Sequence, residues 1–279
     1  MSEAAARVEW TITDGIADVR LNRPEKLNAL DDEMFTALIG TAAELRAEPD
    51  LRVVVLSGRG RGFCAGLDLD AFRAMAEGRA FRPADSDVQA AELAGDGDPE
   101  LTRGQRAVLG FRNLPVPVIA AVHRPALGGG LQLALAAHIR FVAPTATLGL
   151  LELNWGVAPD MGGTQLLPRL VGSDVAAEMI LTARRVDGVE AERIGLATRS
   201  VAEPLTAAME LARTVAARNP DAVRALTTIL AAPSFAEGLA AEQAALRTVT
   251  GAPNQREAAA AALEKRAPVF VTGAGAARS

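Results

Sequence analysis

An α/β core followed by a helical C-terminal part is the fold class that the sequence predicts, and three observations predict it. Two short apolar stretches, LRVVVLSG and VPVIAAVH, each run into a glycine-rich loop and then a helical pattern, about 60 residues apart. Strands that are apolar throughout belong in a sheet covered on both faces. From Ala191 onward helical patterns dominate, so the two kinds of structure are segregated along the chain.

The elements follow in order. VEWTITDGIADVRL alternates apolar and polar residues around Asp14-Gly15 and reads as a β-hairpin with a tight turn. NRPEKLNAL is turn-like, with Pro24 breaking regularity. In DDEMFTALIGTAAELRAEP, Met34, Leu38, Ala42 and Leu45 share one face, acids occupy the first turn and Pro49 lies past the end, which predicts an amphipathic helix. LRVVVLSG is a buried strand, and RGRGFCAGLDLDAFRAM is a glycine loop entering a helix. Residues 78 to about 100 are polar and rich in Gly, Pro and Asp, the composition of a mobile loop or lid. LTRGQRAVLGFRNL is helical, VPVIAAVH is the second buried strand, and IRFVAPTATLGL reads as short strands. GGTQLLPRLVG and DVAAEMILTARRV read as helices, and the helical part ends in NQREAAAAALEKRAPVF. The last eight or nine residues, rich in Gly and Ala, are expected to fray.

Composition narrows the function. The chain has 279 residues, 49% hydrophobic and 23% charged, enough for a sizeable core. A net charge of -5 offers no basic footprint for nucleic acid and disfavours anionic membranes. Tyrosine is absent and aromatics make up 4%, which leaves little for base stacking. Cys64 is the one cysteine, so no intrachain disulfide forms, as suits a cytoplasmic protein. With His123 and His138 the only histidines, ligand clusters for zinc are missing. MSEAAARVEW lacks an apolar h-region and no run of 18 apolar residues occurs, so neither a signal peptide nor a membrane span is expected.

Each glycine loop delivers a helix N-terminus, where backbone N–H groups are unpaired and a partial positive charge gathers. Neither loop matches a P-loop, and neither supplies a dinucleotide fingerprint in its helix context. Two such loops brought together can grip one oxygen from two sides, although glycine also serves plain helix–strand packing.

RGRGFCAGLDL, AVHRPALGGGLQLALAAHIRF and PDMGGTQLLPRLVG, with LNRPEKLNALDDEM near the start and EKRAPVF near the end, together resemble the enoyl-CoA hydratase/isomerase (crotonase) superfamily. The resemblance runs over nearly the whole chain, with five motifs in order. It implies a crotonase-like spiral of repeated ββα units, with a core over residues 1–200 and a helical trimerisation region over 201–279. It implies that the backbone N–H groups of Leu67, after the AG of the first loop, and of Gly129, the middle glycine of the triplet, bind a thioester carbonyl. Each such donor is worth about 3 kcal/mol of transition-state stabilisation in other oxyanion holes. Ala65, Leu67, Asp68, Leu69 and Asp70 would line the CoA path, and Lys26 and Leu27 match its adenine and phosphate edge. Lys265 and Phe270 match a tail that in many members reaches the CoA of a neighbouring subunit. The resemblance further implies a homotrimer or homohexamer, no metal or redox cofactor, and CoA arriving as part of the substrate.

The acid–base positions depart from the hydratase pattern. Hydratases of the superfamily carry two glutamates; one position holds Gln132 here and the other holds Glu152. A glutamine orients water but exchanges no proton at neutral pH. Asp160 stands where dienoyl-CoA isomerases of the superfamily carry an acid. Glu152 as main proton-transfer group with Asp160 as second therefore favours double-bond isomerisation over hydration, the alternatives being an enoyl-CoA hydratase or a non-catalytic acyl-CoA binder. Asp160 also fits a helix N-cap before Gly162 and Gly163. The superfamily's dehalogenases match Asp160 too, but they need a tryptophan at the place of Glu152 and a histidine base, and residues 78–100 contain no histidine. His123 and His138 are expected to be structural, and Cys64 to pack inward.

Overall fold

The computed structural model describes residues 6–79, 86–95 and 100–271. The chain opens with β1 (Val8–Thr13) and β2 (Ile16–Leu21), joined through Asp14 and Gly15, both at positive φ (52° and 78°), as a two-residue hairpin turn requires. A 3-10 turn over Pro24–Lys26 leads to α1 (Asp32–Ala47), capped by the Asp31 carboxylate accepting from the Met34 N–H at 2.8 Å. There follow β3 (Val53–Gly58), α2 (Leu69–Ala76), α3 (Ser86–Ala94) and α4 (Arg103–Arg112), the last begun by a capping box of Thr102 and Gln105. Next come β4 (Val118–Val122), β5 (Ala126–Leu127), α5 (Gly129–Leu135), β6 (Ile139–Val142), β7 (Thr147–Gly149) and a 3-10 turn over Glu152–Trp155. The chain continues through α6 (Gly163–Leu166), α7 (Pro168–Val171), α8 (Ser173–Thr182), β8 (Val186–Asp187), α9 (Gly188–Arg193) and β9 (Arg199–Ser200). It closes with α10 (Pro204–Ala216), α11 (Pro220–Leu230), α12 (Phe235–Val249) and α13 (Pro253–Glu264).

Among the described residues, six strands form one sheet in the order β1-β2-β3-β4-β6-β9. Only β1 runs antiparallel to its neighbour; the other pairings are parallel. Side chains alternate across the sheet with period two. Val54, Leu56, Val118, Ala120 and Val122 enter the main core with α1, α4 and α5. Val53, Val55, Ile119 and Ala121 face the other way, onto Ala208, Ala212 and Ala216 of α10. Both faces are covered, which is why β3 and β4 read as apolar throughout. A smaller sheet, β5-β7-β8, stands beside the first and carries the glycine triplet.

The segment 78 to about 100 differs from the expected polar loop. Part of it lies outside the described residues, but Ser86–Ala94 is helix α3, packed on α1 and α4 with Ala90 buried. VQAAELA is a run of good helix formers with one small apolar anchor, and the flanking Gly, Pro and Asp residues masked that signal. The Asp87 carboxylate accepts from the Arg103 N–H at 2.7 Å, fastening α3 to the start of α4. The expected frayed tail falls almost wholly outside the described residues.

Candidate active site

Because β3 and β4 are parallel neighbours, their C-terminal ends and the loops that follow meet at one edge of the sheet. The first loop is threaded between two partners. On one side Cys64 N–H donates to the Pro125 carbonyl at 2.9 Å and Leu127 N–H to the Cys64 carbonyl at 3.1 Å. On the other, Leu30 N–H donates to the Gly66 carbonyl at 2.8 Å and Asp68 N–H to the Leu30 carbonyl at 3.0 Å. In that parallel bridge the flanking groups of Leu67 make the bonds, so the N–H of Leu67 itself turns to the opposite side. Gly129 is the first residue of α5, so its N–H has no acceptor within the helix, while the Gly128 N–H is held by the Gly149 carbonyl at 2.8 Å.

Glycine is needed where these loops touch. A Cβ on Gly66, whose φ is +92°, would lie 2.6 Å from the Leu127 carbonyl oxygen and 3.6 Å from the Gly129 nitrogen. A Cβ on Gly130 would lie 2.3 Å from the Cys64 carbonyl oxygen. The two loops therefore approach backbone to backbone, and Leu67 and Gly129 line one cavity of about 240 Å³.

Gln132, Glu152 and Asp160 line the same cavity. Gln132 is buried, and its amide orientation is fixed by its partners. Its Oε1 accepts from the Met161 N–H at 3.0 Å and the Gly163 N–H at 2.9 Å, which turns Nε2 toward Glu152 Oε1 at 2.7 Å. Glu152 is 9% exposed and begins the 3-10 turn that ends at Trp155. Its second oxygen, Oε2, is buried and has no hydrogen-bond partner among the described residues. Burial raises the Glu152 carboxyl above its ordinary range; hydrogen bonding by its own backbone N–H and by Gln132 opposes this, and the negative charge of Asp160 adds to it.

Asp160 is exposed at the rim of the cavity. It does not cap α6: the cap residue is Gly162, and no side chain caps that helix. Instead the backbone that follows Asp160 is tied to Gln132 through the N–H groups of Met161 and Gly163. Ala65 and Leu69 line the cavity with Leu67. Asp68 turns away into the protein, where it caps α2 through the Asp70 N–H at 2.9 Å and is ion-paired with Arg23, and Asp70 is exposed and ion-paired with Arg73. Lys26 is exposed, and Leu27 adopts a left-handed conformation (φ 51°) at the end of its 3-10 turn. Lys265 caps α13 with φ 56° on the surface and Phe270 is half-buried; neither lines this cavity.

The other singled-out side chains have structural partners. Cys64 is buried, its thiol pushed up to about 12 by burial, and Sγ meets the Asn28 carbonyl. His138 Nδ1 accepts from the Val118 N–H, and His123 Nε2 lies 3.0 Å from the Gly60 carbonyl. Among the described residues no cluster of His, Cys, Asp and Glu could hold a metal ion, and no helix is long and apolar enough to cross a membrane. Sequence reasoning missed Phe72 and Trp155, which stack at the cavity wall. The available signal was Trp155 three residues after Glu152, in a chain with two tryptophans.

A sequence model described as enoyl-CoA hydratase/isomerase matches residues 11–273. The chain is 35% identical to the mouse (Mus musculus) protein named enoyl-CoA hydratase domain-containing protein 2, mitochondrial, over 92% of this chain and 84% of that protein. The crystal structure of an enoyl-CoA hydratase from Bacillus anthracis superposes with a TM-score of 0.82 at 31% identity, covering 95% of this chain and 98% of that one. An enoyl-CoA hydratase from Mycobacterium smegmatis gives 0.78 at 27% identity, covering 94% and 98%.

Proposed function

This chain belongs to the enoyl-CoA hydratase/isomerase family and has its fold, and from that premise we propose that it shifts double bonds of an unsaturated fatty acyl-CoA, with Glu152 as the main proton-transfer group and Asp160 as the second. The thioester oxygen accepts from the N–H groups of Leu67 and Gly129. Glu152 Oε2 removes a proton from one carbon of the acyl chain and the electrons delocalise into the thioester as an enolate. Asp160, exposed at the rim, takes up a proton from solvent and delivers it further along the conjugated system, and Glu152 then releases its proton to solvent, which restores both carboxylates. The two N–H donors stabilise the charge that develops on oxygen. No electron leaves the system, so the cycle needs no redox cofactor, and CoA enters and leaves with the substrate.

The observation that carries this reading is Glu152 itself, a residue lining the cavity: one oxygen is held by Gln132 and the other is buried without a hydrogen-bond partner among the described residues. Gln132 does not act as an acid or base at neutral pH and its carbonyl oxygen is already engaged twice, which weakens the case for a two-carboxylate grip on water. Hydration of a trans-2-enoyl-CoA is the second reading, favoured by the names of the similar crystal structures. Ultraviolet absorbance of 3-enoyl-, dienoyl- and trans-2-enoyl-CoA mixtures separates them. Isomerisation should outrun hydration, and Gln132→Glu should raise hydration. Faster hydration in the wild type, or hydration unmoved by Gln132→Glu, overturns the assignment; binding without any conversion marks a non-catalytic member.

We also assign Lys26 and Leu27 to the edge of the CoA path and read the chain as a homotrimer or homohexamer. Exposed Leu230, Phe235 and Leu263 on α11, α12 and α13 support that assembly.

A further inference from the structure

A second cavity adjoins the first. The inner one, about 240 Å³, holds Leu67, Gly129 and Glu152; the outer one, about 530 Å³, holds none of them. They share Leu69, Phe72, Met75, Trp155 and Val157, so they are two parts of one depression between α2 and the Glu152–Trp155 turn. At the shared wall the rings of Phe72 and Trp155 are stacked, centroids 4.1 Å apart and planes 14° from parallel.

The pair is placed by the elements that build the reaction centre. Phe72 sits on α2, which begins two residues after Leu67. Trp155 ends the 3-10 turn that begins with Glu152, and side chains at i and i+3 of such a turn eclipse one another. The proton-transfer group and the tryptophan therefore face the same depression. Trp155 is 50% exposed, so ring contact rather than enclosure holds it in place. A stack of this kind can be opened at modest cost.

We propose that the Phe72–Trp155 stack is a partition across the acyl-binding depression that selects acyl groups by length. Short acyl groups end in the inner cavity against the closed stack. Longer groups must displace Trp155 before they reach the outer cavity. Breaking the ring contact costs between about twofold and about tenfold in affinity, whereas each methylene buried without obstruction gains roughly fourfold. The inference rests on the acyl-CoA reading of the site but not on which reaction follows binding.

Saturated acyl-CoA thioesters from butanoyl to dodecanoyl test it, because they bind without proton transfer. Calorimetric Kd against chain length should fall steeply at first in the wild type, flatten over about one or two methylenes where the chain meets the stack, and then fall again. In Trp155→Ala and in Phe72→Ala the fall should continue through that length without flattening. Trp155→Phe, which can still stack, should keep the break. An unbroken slope in the wild type, or a break that stays at the same length in both alanine variants, overturns the partition. Failure of every acyl-CoA to bind the wild type overturns both this inference and the proposed function. Normal length discrimination with no turnover of unsaturated substrates overturns the proposed reaction alone.

Discussion

At the scale of single residues the site is governed by one carboxyl group in two unequal environments. Glu152 Oε1 is anchored by Gln132 and Oε2 is left for chemistry. Glu152→Gln keeps the shape and removes the base, so turnover should fall by about 10²- to 10⁴-fold while acyl-CoA binding persists; wild-type turnover would move the base elsewhere. Because burial raises this carboxyl above the ordinary 4.5, the acid limb of kcat/KM should lie above that value, activity falling as pH drops and Glu152 takes up a proton. The same shift sets a stability trend of opposite sense. A carboxyl raised in the folded state favours folding most below its unfolded pKa, and that contribution is lost as pH rises through the folded value. Glu152→Gln should therefore raise Tm at pH 8, with the gain shrinking toward pH 4. The sequence identified Gln132 as a non-acid at a decisive place. It could not reveal that the amide ties Glu152 to the loop around Asp160, since the Met161 and Gly163 N–H groups reach it only through the fold.

At the scale of elements, what was legible depended on whether local chemistry or tertiary pairing fixes each piece. The β1–β2 hairpin, α1 with its Asp31 cap, and the apolar β3 and β4 carry their own signals. The two-residue strands β5 and β8 exist only through their ladder partners, and the Glu152–Trp155 turn has no periodicity of its own to read. Helix α3 was hidden by the composition around it. The two glycine loops were legible as loops, but their mutual contact was not. Gly66→Ala tests that contact. An alanine at φ +92° costs roughly 1–2 kcal/mol in backbone strain, and its Cβ must push Leu127 away, moving the Gly129 donor with it. Stability should drop, and kcat/KM should drop by about 10²- to 10³-fold, the loss expected for one misplaced oxyanion donor. Gly251→Ala, between α12 and α13, is the control: its φ is +80° but among the described residues no atom lies within 4 Å of a new Cβ. It should lose similar stability without that loss of kcat/KM. Equal activity losses in the two variants would mean that strain alone, not the approach of the loops, explains the glycine.

At the scale of the whole molecule, α10 and the last three helices do different things with their apolar residues. Helix α10 closes the second face of the sheet through Ala208, Ala212 and Ala216. Beyond it, Leu226 and Leu230 on α11, Phe235 and Leu246 on α12, and Leu263 on α13 stand exposed, Leu230 at 79% and Phe235 at 84%. Large apolar side chains gathered on adjoining helices are costly to leave in water, and burying each gains on the order of 2 kcal/mol. Lys265 and Phe270, matched by sequence to a CoA-reaching tail, lie on this same terminal part and do not line the cavity of their own chain. Both facts point to a neighbouring copy. On the proposed homotrimer or homohexamer, light scattering should give three or six copies per particle, and Leu230→Asp with Phe235→Asp should lower that number while circular dichroism keeps its helical signal. If the tail serves the neighbour's site, Phe270→Ala should weaken acyl-CoA binding in the assembled protein and have no such effect once the two aspartates have dispersed it. A monomeric wild type would leave the exposed apolar residues unexplained by assembly, and a Phe270 effect that survives dispersal would assign the tail to its own subunit.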